Sequence, residues 1–334
     1  MYLLVSSLQF LYTGAQAQQT FDLQAHRGGL GLMTESTLEA FTNALELGVT
    51  TLEMDIQITE DGVAVVTHDR QIQPQKCRDA QMLVANDPEY PYVGKYIKDL
   101  SMAQIHTLNC GYQQLPGYPE QKVIAGASMP MLADVFALLE TYPAESVWLN
   151  IETKVEAGAP EETAPRASFI RVVLEEIERA GVQDRVTIQS FDWGTLMALG
   201  SVAPDIPLVA LTNGQSFLAC GEPGASPWLG GIDMDDFDCD VVAAAASFGA
   251  SAISPVHGSP QDGRIGDVDY EPFVTAAMVE RARSAGLRVI PWTVDDRDTM
   301  HYLMDLGVDG IITNYPDRLR EVMQERGLPL PPGK

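Results

Sequence analysis

From Phe21 onward the chain alternates short apolar runs with helix-like stretches in a single rhythm, and it does so eight times. The apolar runs centre on HRG at 26–28, EMD at 53–55, IET at 151–153, IQSF at 188–191, VALT at 209–212, ISP at 253–255, PWTV at 291–294 and IIT at 311–313. Between them lie helical patterns such as FIRVVLEEIERAG and FVTAAMVERARSAG. Strands buried on both faces read as near-continuous Val and Ile runs, and eight βα units in roughly 300 residues fit a closed parallel (β/α)8 TIM-type barrel. An open doubly wound α/β sheet is the alternative. It needs a glycine-rich phosphate turn after the first strand, whereas His26-Arg27-Gly28-Gly29-Leu30-Gly31 is not G-x-G-x-x-G and the next helix lacks the packing glycine.

The first helix is expected to start on Ser36-Thr37-Leu38-Glu39, a Ser-x-x-Glu capping box, with Leu38, Phe41 and Leu45 at helical spacing and Gly48 as its stop. After the second strand the rhythm breaks. Glu60-Asp61-Gly62 is a tight-turn signal, so VAVVTH folds back antiparallel and returns His68 toward the strand it left. From about 69 to 128 only Met102–Leu108 has a weak helical pattern. An excursion of that length inside a compact domain reads as a functional insertion or lid.

The expected organisation is a signal peptide at 1–17, ending in the small-x-small pattern Ala15-Gln16-Ala17, followed by a single barrel at 18–334. The leader has no Lys or Arg before its apolar run, and a partly buried N-terminal helix is the other reading. Export would place the chain in the periplasm or outside the cell. The four cysteines suit that oxidising setting; Cys77 with Cys110 and Cys220 with Cys239 would close loops, but four cysteines allow three connectivities and buried free thiols are the plainer alternative. A net charge of −25 repels nucleic acid and anionic membranes, so neither is expected as a partner. No segment after the leader has the apolar length of a membrane span. An anionic ligand needs a local cationic pocket.

Active sites of parallel barrels sit where the strands end. There the sequence places His26 and Arg27, Glu53 and Asp55, Glu152 and Lys154, Ser190, Trp292 and Asn314. Residues two apart on a strand share a face, so Glu53 and Asp55 point the same way, and like charges on a dry face need a cation or a proton between them. Three carboxylates without a thiol describe a site for one hard divalent cation, Mg²⁺ or Ca²⁺. Arg27 and Lys154 add the charge that would hold a phosphate. His26 and His68 could take and give a proton across a phosphodiester. Singly, each residue also reads as a structural hydrogen bond or an exposed ion pair; their convergence on strand ends favours chemistry. His106, His257 and His301 lack such company, and the acidic run 233–240 lacks the glycine and terminal glutamate of a calcium loop.

These residues resemble the glycerophosphodiester phosphodiesterase family. The matching elements are His26-Arg27-Gly28, Thr34-Glu35-Ser36-Thr37, Ala40-Phe41, Glu53-Met54-Asp55, Thr59-Glu60-Asp61-Gly62 and His68-Asp69, then Pro130-Met131-Leu132, Ile151-Glu152-Thr153-Lys154, Ser190-Phe191, Pro291-Trp292-Thr293 and Gly307 to Thr313. The resemblance implies a barrel with a divalent metal on Glu53, Asp55 and Glu152, an acid–base pair of His26 and His68, phosphate held by Arg27 and Lys154, and substrate contacts from Phe191 and Trp292. It implies cleavage of small glycerophosphodiesters to glycerol 3-phosphate and an alcohol. Thr34 and Ser36 stand where the family pattern has Pro and Asn, and Thr153 where it usually has an aliphatic residue. Two rivals are a barrel phospholipase D-like enzyme on intact lipid, which would want an apolar docking loop, and a non-catalytic phosphate-ligand binding protein, which should have lost a histidine or a metal carboxylate.

Overall fold

A computed structural model describes residues 20–334; the expected signal peptide at 1–17 lies outside them. Eight parallel strands form a barrel: β1 Asp22–Ala25, β2 Thr51–Ile58, β3 Trp148–Thr153, β4 Val186–Ser190, β5 Leu208–Thr212, β6 Ala252–Pro255, β7 Arg288–Val289 and β8 Gly310–Thr313. Strands β1 to β7 pair in chain order and β8 pairs with β1. The ring closes between β7 and β8, where Asp309 N–H donates to Val289 O at 2.9 Å and Ile312 N–H to Pro291 O at 3.0 Å. Each strand leads to an outer helix: α1 Leu38–Leu47, α2 Leu132–Glu140, α3 Arg166–Ala180, α4 Trp193–Val202, α5 Val241–Ser247, α6 Ala276–Ser284, α7 Arg297–Leu306 and α8 Pro316–Glu325. The TIM-type barrel expected from the alternation is the observed fold.

Period-2 geometry divides every strand between two environments. On β2, Leu52, Met54 and Ile56 face the helices and pack in one continuous core with Phe41, Leu45 and Val135. Each such buried side chain contributes roughly 2 kcal/mol by area removed from water. Glu53, Asp55 and Gln57 occupy the alternate positions and are also buried. The barrel interior is correspondingly two-sided. Val209, Ala252, Ile290 and Ile312 form a small apolar cluster on one side. On the other, Asn150 Nδ2 donates to Gln24 Oε1 at 2.8 Å and to Gln189 Oε1 at 2.9 Å, and Gln189 Nε2 donates to Glu53 Oε1 at 2.8 Å. Buried amides can stay inside a barrel only when paired in this way.

The hairpin is present. Ala64–Val66 pairs antiparallel with β2, with Ile56 opposite Val66, and Thr67 N–H donates to Asp55 O at 3.0 Å, which brings His68 back beside Asp55. The chain between the hairpin and α2 carries its own apolar cluster, including Ile72, Tyr92, Ile97 and Ile105, and a two-stranded ladder of Arg78–Asp79 with Leu108–Asn109. The cysteines pair Cys77–Cys110, beside that ladder, and Cys220–Cys239.

One local expectation is corrected. The cap of α1 is Thr37, whose side chain accepts from Ala40 N–H, and there is no Ser36–Glu39 capping box. Ser36 sits one residue too early, at φ 56°, with a buried hydroxyl that has no partner. Asparagine, the family residue, tolerates that left-handed conformation better than serine. Ser36→Gly is therefore expected to stabilise the fold by about 1 kcal/mol, read as a raised midpoint in thermal or urea unfolding. Thr34 has a positive role: its N–H donates to Lys122 O at 3.0 Å and its hydroxyl accepts from Ile124 N–H at 3.0 Å, stitching the loop after β1 to the insertion. Proline could not make the first of these bonds.

Candidate active site

β1 ends in a tight turn through His26, Arg27 and Gly28. Arg27 is left-handed at φ 52°, and Gly28 at φ 80° lets α1 approach so closely that a Cβ would meet that of Ala40 at 2.8 Å. This turn points Arg27 N–H at Glu53 Oε2, 2.8 Å away, and its guanidinium at Asp55 Oδ2, 3.2 Å away. Glu53 is thus held from above by Arg27 and from below by Gln189.

In the register between β2 and β3, Asp55 lies opposite Glu152 and both side chains take the same side. One carboxylate oxygen from each of Glu53, Asp55 and Glu152 falls within 4.8 Å of the others. Lys154 Nζ lies 2.7 Å from Glu152 Oε1 and 3.8 Å from Asp55 Oδ1. Both Asp55 oxygens are buried and accept no hydrogen bond. Buried carboxylate oxygens are costly without partners, and an all-oxygen donor set with two open acceptors fits a hard divalent cation. Charge agrees. Glu152, Lys154, Asp55, Arg27, Glu35, Lys76 and Asp69 form a continuous chain of ion pairs, joined by Glu53 through the Arg27 backbone. With all five carboxylates ionised, as a bound cation would require, its three cations leave two negative charges over.

The proton affinities follow the crowding. Burial, then Asp55 and Glu152, raise the Glu53 carboxyl well above its usual range. Burial pushes Glu152 up to about 8, with Lys154 opposing. Burial also disfavours an ionised Asp55, but Arg27, His68 and Lys154 outweigh it and keep that carboxyl ionised and below its ordinary range. Of the three, Asp55 is the carboxylate that stays charged without a cation.

Both histidines are held through Nδ1. His26 Nδ1 lies 2.6 Å from Asn314 Oδ1, and Asn314 Nδ2 donates to Asp295 Oδ2 at 2.7 Å, which fixes the amide so that its oxygen faces the ring. His68 Nδ1 lies 2.8 Å from Asp69 Oδ1. With Nδ1–H donating to an oxygen acceptor, a neutral ring carries its lone pair on Nε2. Burial, then Arg27, lowers His26 to about 4, and burial, Arg27 and Lys154 hold His68 well below its ordinary value. Both rings are neutral at pH 7 without substrate.

Two cavities open on this centre. One, about 420 Å³, is lined by His68, Glu152, Lys154, Phe191 and Trp292; the other, about 1070 Å³, by His26, Arg27, Tyr118, Asp295 and Asn314. Phe191 meets Trp292 edge-on at 5.3 Å, and Phe217 and Trp228, stacked at 4.4 Å, continue the aromatic wall. The structure thus brings every residue singled out at the strand ends of β1, β2 and β3 into one centre, with Phe191 and Trp292 on its wall. Sequence reading missed Gln189, Asp295, Glu35 as a partner of Arg27, Lys76, Phe217 and Trp228. Gln24, Asn150 and Gln189 carried a signal, being amides at inward positions of apolar strands. His257 is buried, bonded to Tyr270 and lines the larger cavity beside His26, whereas His301 pairs with Glu325 and lines neither cavity.

Fold and site together define a barrel hydrolase with an acidic, cation-seeking centre ringed by Arg, Lys and His. Residues 26–318 match the glycerophosphoryl diester phosphodiesterase family model, and the chain belongs to that family. It is accordingly an enzyme, a glycerophosphodiester phosphodiesterase. A glycerophosphodiester phosphodiesterase of Caldanaerobacter subterraneus subsp. tengcongensis is 25% identical over 91% of this chain and 98% of its own length. A crystal structure from Silicibacter pomeroyi DSS-3 is 28% identical, with a TM-score of 0.75 over 93% of this chain and 95% of that one. The fold is shared also with an Oleispira antarctica phosphodiesterase solved in complex with its product sn-glycerol-3-phosphate, at 18% identity and a TM-score of 0.62 over 91% of this chain and 96% of that one.

Proposed function

We propose that the chain hydrolyses small glycerophosphodiesters to glycerol 3-phosphate and an alcohol, with one Mg²⁺ or Ca²⁺ held by Glu53, Asp55 and Glu152. The observation that carries this reading is the Asp55 carboxylate, buried and without a hydrogen bond, between two further carboxylates and two cationic side chains. When bound, the cation would neutralise phosphate charge and help orient the diester. Arg27 and Lys154 hold the phosphate oxygens and offset charge that grows on them as the bond breaks. His26 and His68 are the acid–base pair. One Nε2 takes the proton of the attacking oxygen, from water or from the substrate's own glycerol hydroxyl; the other, protonated as the anionic substrate arrives, returns one to the leaving alkoxide. A cyclic phosphate made by the hydroxyl is opened by water with the two proton transfers reversed. Phe191 and Trp292 bound the substrate on the His68 side and exclude water there.

The same reading includes export to the periplasm or beyond, supported by Ala15-Gln16-Ala17 and by the two disulfides. No helix among the described residues is long and apolar enough to cross a membrane, in keeping with a small-molecule substrate. The test is a panel of glycerophosphodiesters, glycerophosphocholine among them, incubated with purified protein and Mg²⁺ or Ca²⁺. Release of glycerol 3-phosphate that a chelator stops is expected. Absence of turnover on every member with either ion would overturn the proposal.

A further inference from the structure

Lys76 belongs to the insertion, yet its ammonium lies within the barrel's ion-pair chain. It sits in a turn where the N–H groups of Lys76 and Cys77 both donate to Gln73 O, at 3.0 and 2.9 Å. The next residue, Cys77, is bonded to Cys110, so this turn is covalently anchored. From there Nζ reaches 2.5 Å from Glu35 Oε1 and 2.6 Å from Asp69 Oδ2. Each carboxylate turns its other oxygen to a working group: Glu35 Oε2 accepts from Arg27 Nη1 at 2.8 Å, and Asp69 Oδ1 meets His68 Nδ1 at 2.8 Å.

A carboxylate tied through one oxygen can still swing about its Cβ or Cγ bond, and the group on it swings too. A second tie on the other oxygen fixes the plane. Lys76 supplies that second tie twice, once on the histidine side and once on the arginine side. We infer that Lys76 is a positioning residue for turnover: its ammonium sets the Asp69 and Glu35 carboxylates, and through them the His68 ring and the Arg27 guanidinium. This inference rests on the proposed roles of His68 and Arg27 in phosphodiester cleavage. It makes the insertion part of the catalytic apparatus, because among the described residues no other side chain bridges Glu35 and Asp69.

The experiment measures kcat and KM for glycerophosphocholine, together with the thermal midpoint, for the full chain and its variants. Misplacing an acid–base group by about 1 Å costs on the order of 10²-fold, so Lys76→Met is expected to lower kcat by roughly 30- to 100-fold with KM changed by less than about 3-fold. Lys76→Arg is expected to restore kcat to within about 5-fold, since a guanidinium can bridge two carboxylates. In a Glu35→Gln/Asp69→Asn background, Lys76→Met should change kcat by less than about 2-fold, because sites coupled through the same contacts are not additive. A kcat within about 3-fold of wild type in Lys76→Met, or the same loss with and without the two carboxylates, overturns the inference. If Lys76→Met does not fold, Lys76→Gln takes its place; about 10-fold loss of kcat is then expected, and full activity overturns the inference. A wild-type chain that cleaves no glycerophosphodiester strikes instead at the reading on which the inference rests.

Discussion

His68→Ala is expected to lower kcat by about 10³-fold, within the range for removal of a general acid or base, while divalent-cation binding stays within a few-fold of wild type. The ring makes its hydrogen bond to Asp69, not to Glu53, Asp55 or Glu152, so its loss leaves the carboxylate cluster and the lysine and arginine ties intact. It also retains 32% side-chain exposure, so truncation opens little buried volume. Glycerol 3-phosphate release measured beside calorimetric cation titration separates the two properties. Cation affinity lost in step with turnover would show that His68 shapes the cluster rather than moving a proton.

Loss of the cation should be as severe, through a different route. A chelator, or Asp55→Asn, is expected to reduce turnover by at least about 10³-fold, since the several kcal/mol of charge stabilisation attributed to a bound cation disappears. Glu53→Gln should weaken cation binding but spare the Asp55 ion pairs. The pH dependence has a definite sign. Burial raises Glu152 to about 8, so without a cation its carboxyl carries a proton at neutral pH. Glu53 is raised as well, so binding displaces that proton and the one on Glu53, and affinity rises with pH toward 8, by about tenfold per unit for each proton displaced. Titration in buffers of different ionisation enthalpy reads the proton release directly. Affinity that is flat between pH 6 and 8 would contradict this picture of the cluster.

Much of this centre is legible from local pattern. The i, i+2 spacing puts Glu53 and Asp55 on one face whatever the strand pairs with, and Glu60-Asp61-Gly62 turns the chain back so that His68 returns to the strand it left. Both are consequences of covalent geometry over a few residues. The end of α1 at Gly48 was legible for the same reason, but its start was not. Ser36 and Thr37 both have the chemistry of a cap, and the choice between them was made by the turn after β1, where Ser36 N–H donates to Arg27 O and leaves Thr37 at the helix end.

The disulfides illustrate the boundary. Four cysteines admit three pairings, and only the folded path of the insertion brings Cys77 to Cys110, across the ladder of Arg78–Asp79 with Leu108–Asn109. The supports of the working groups are of the same kind. Asn314 meets His26 across 288 positions, Gln189 meets Glu53 across 136, and Asp295 turns the Asn314 amide from a loop between β7 and α7. No periodicity announces such contacts, because hydrogen bonds and ion pairs are short-ranged and depend on where barrel closure brings distant strand ends. The sequence by itself determined the barrel, the acidic pair on β2 and the return of His68. Only the tertiary structure decided which partners hold those groups in place, since each support exists only once the ring of strands has closed.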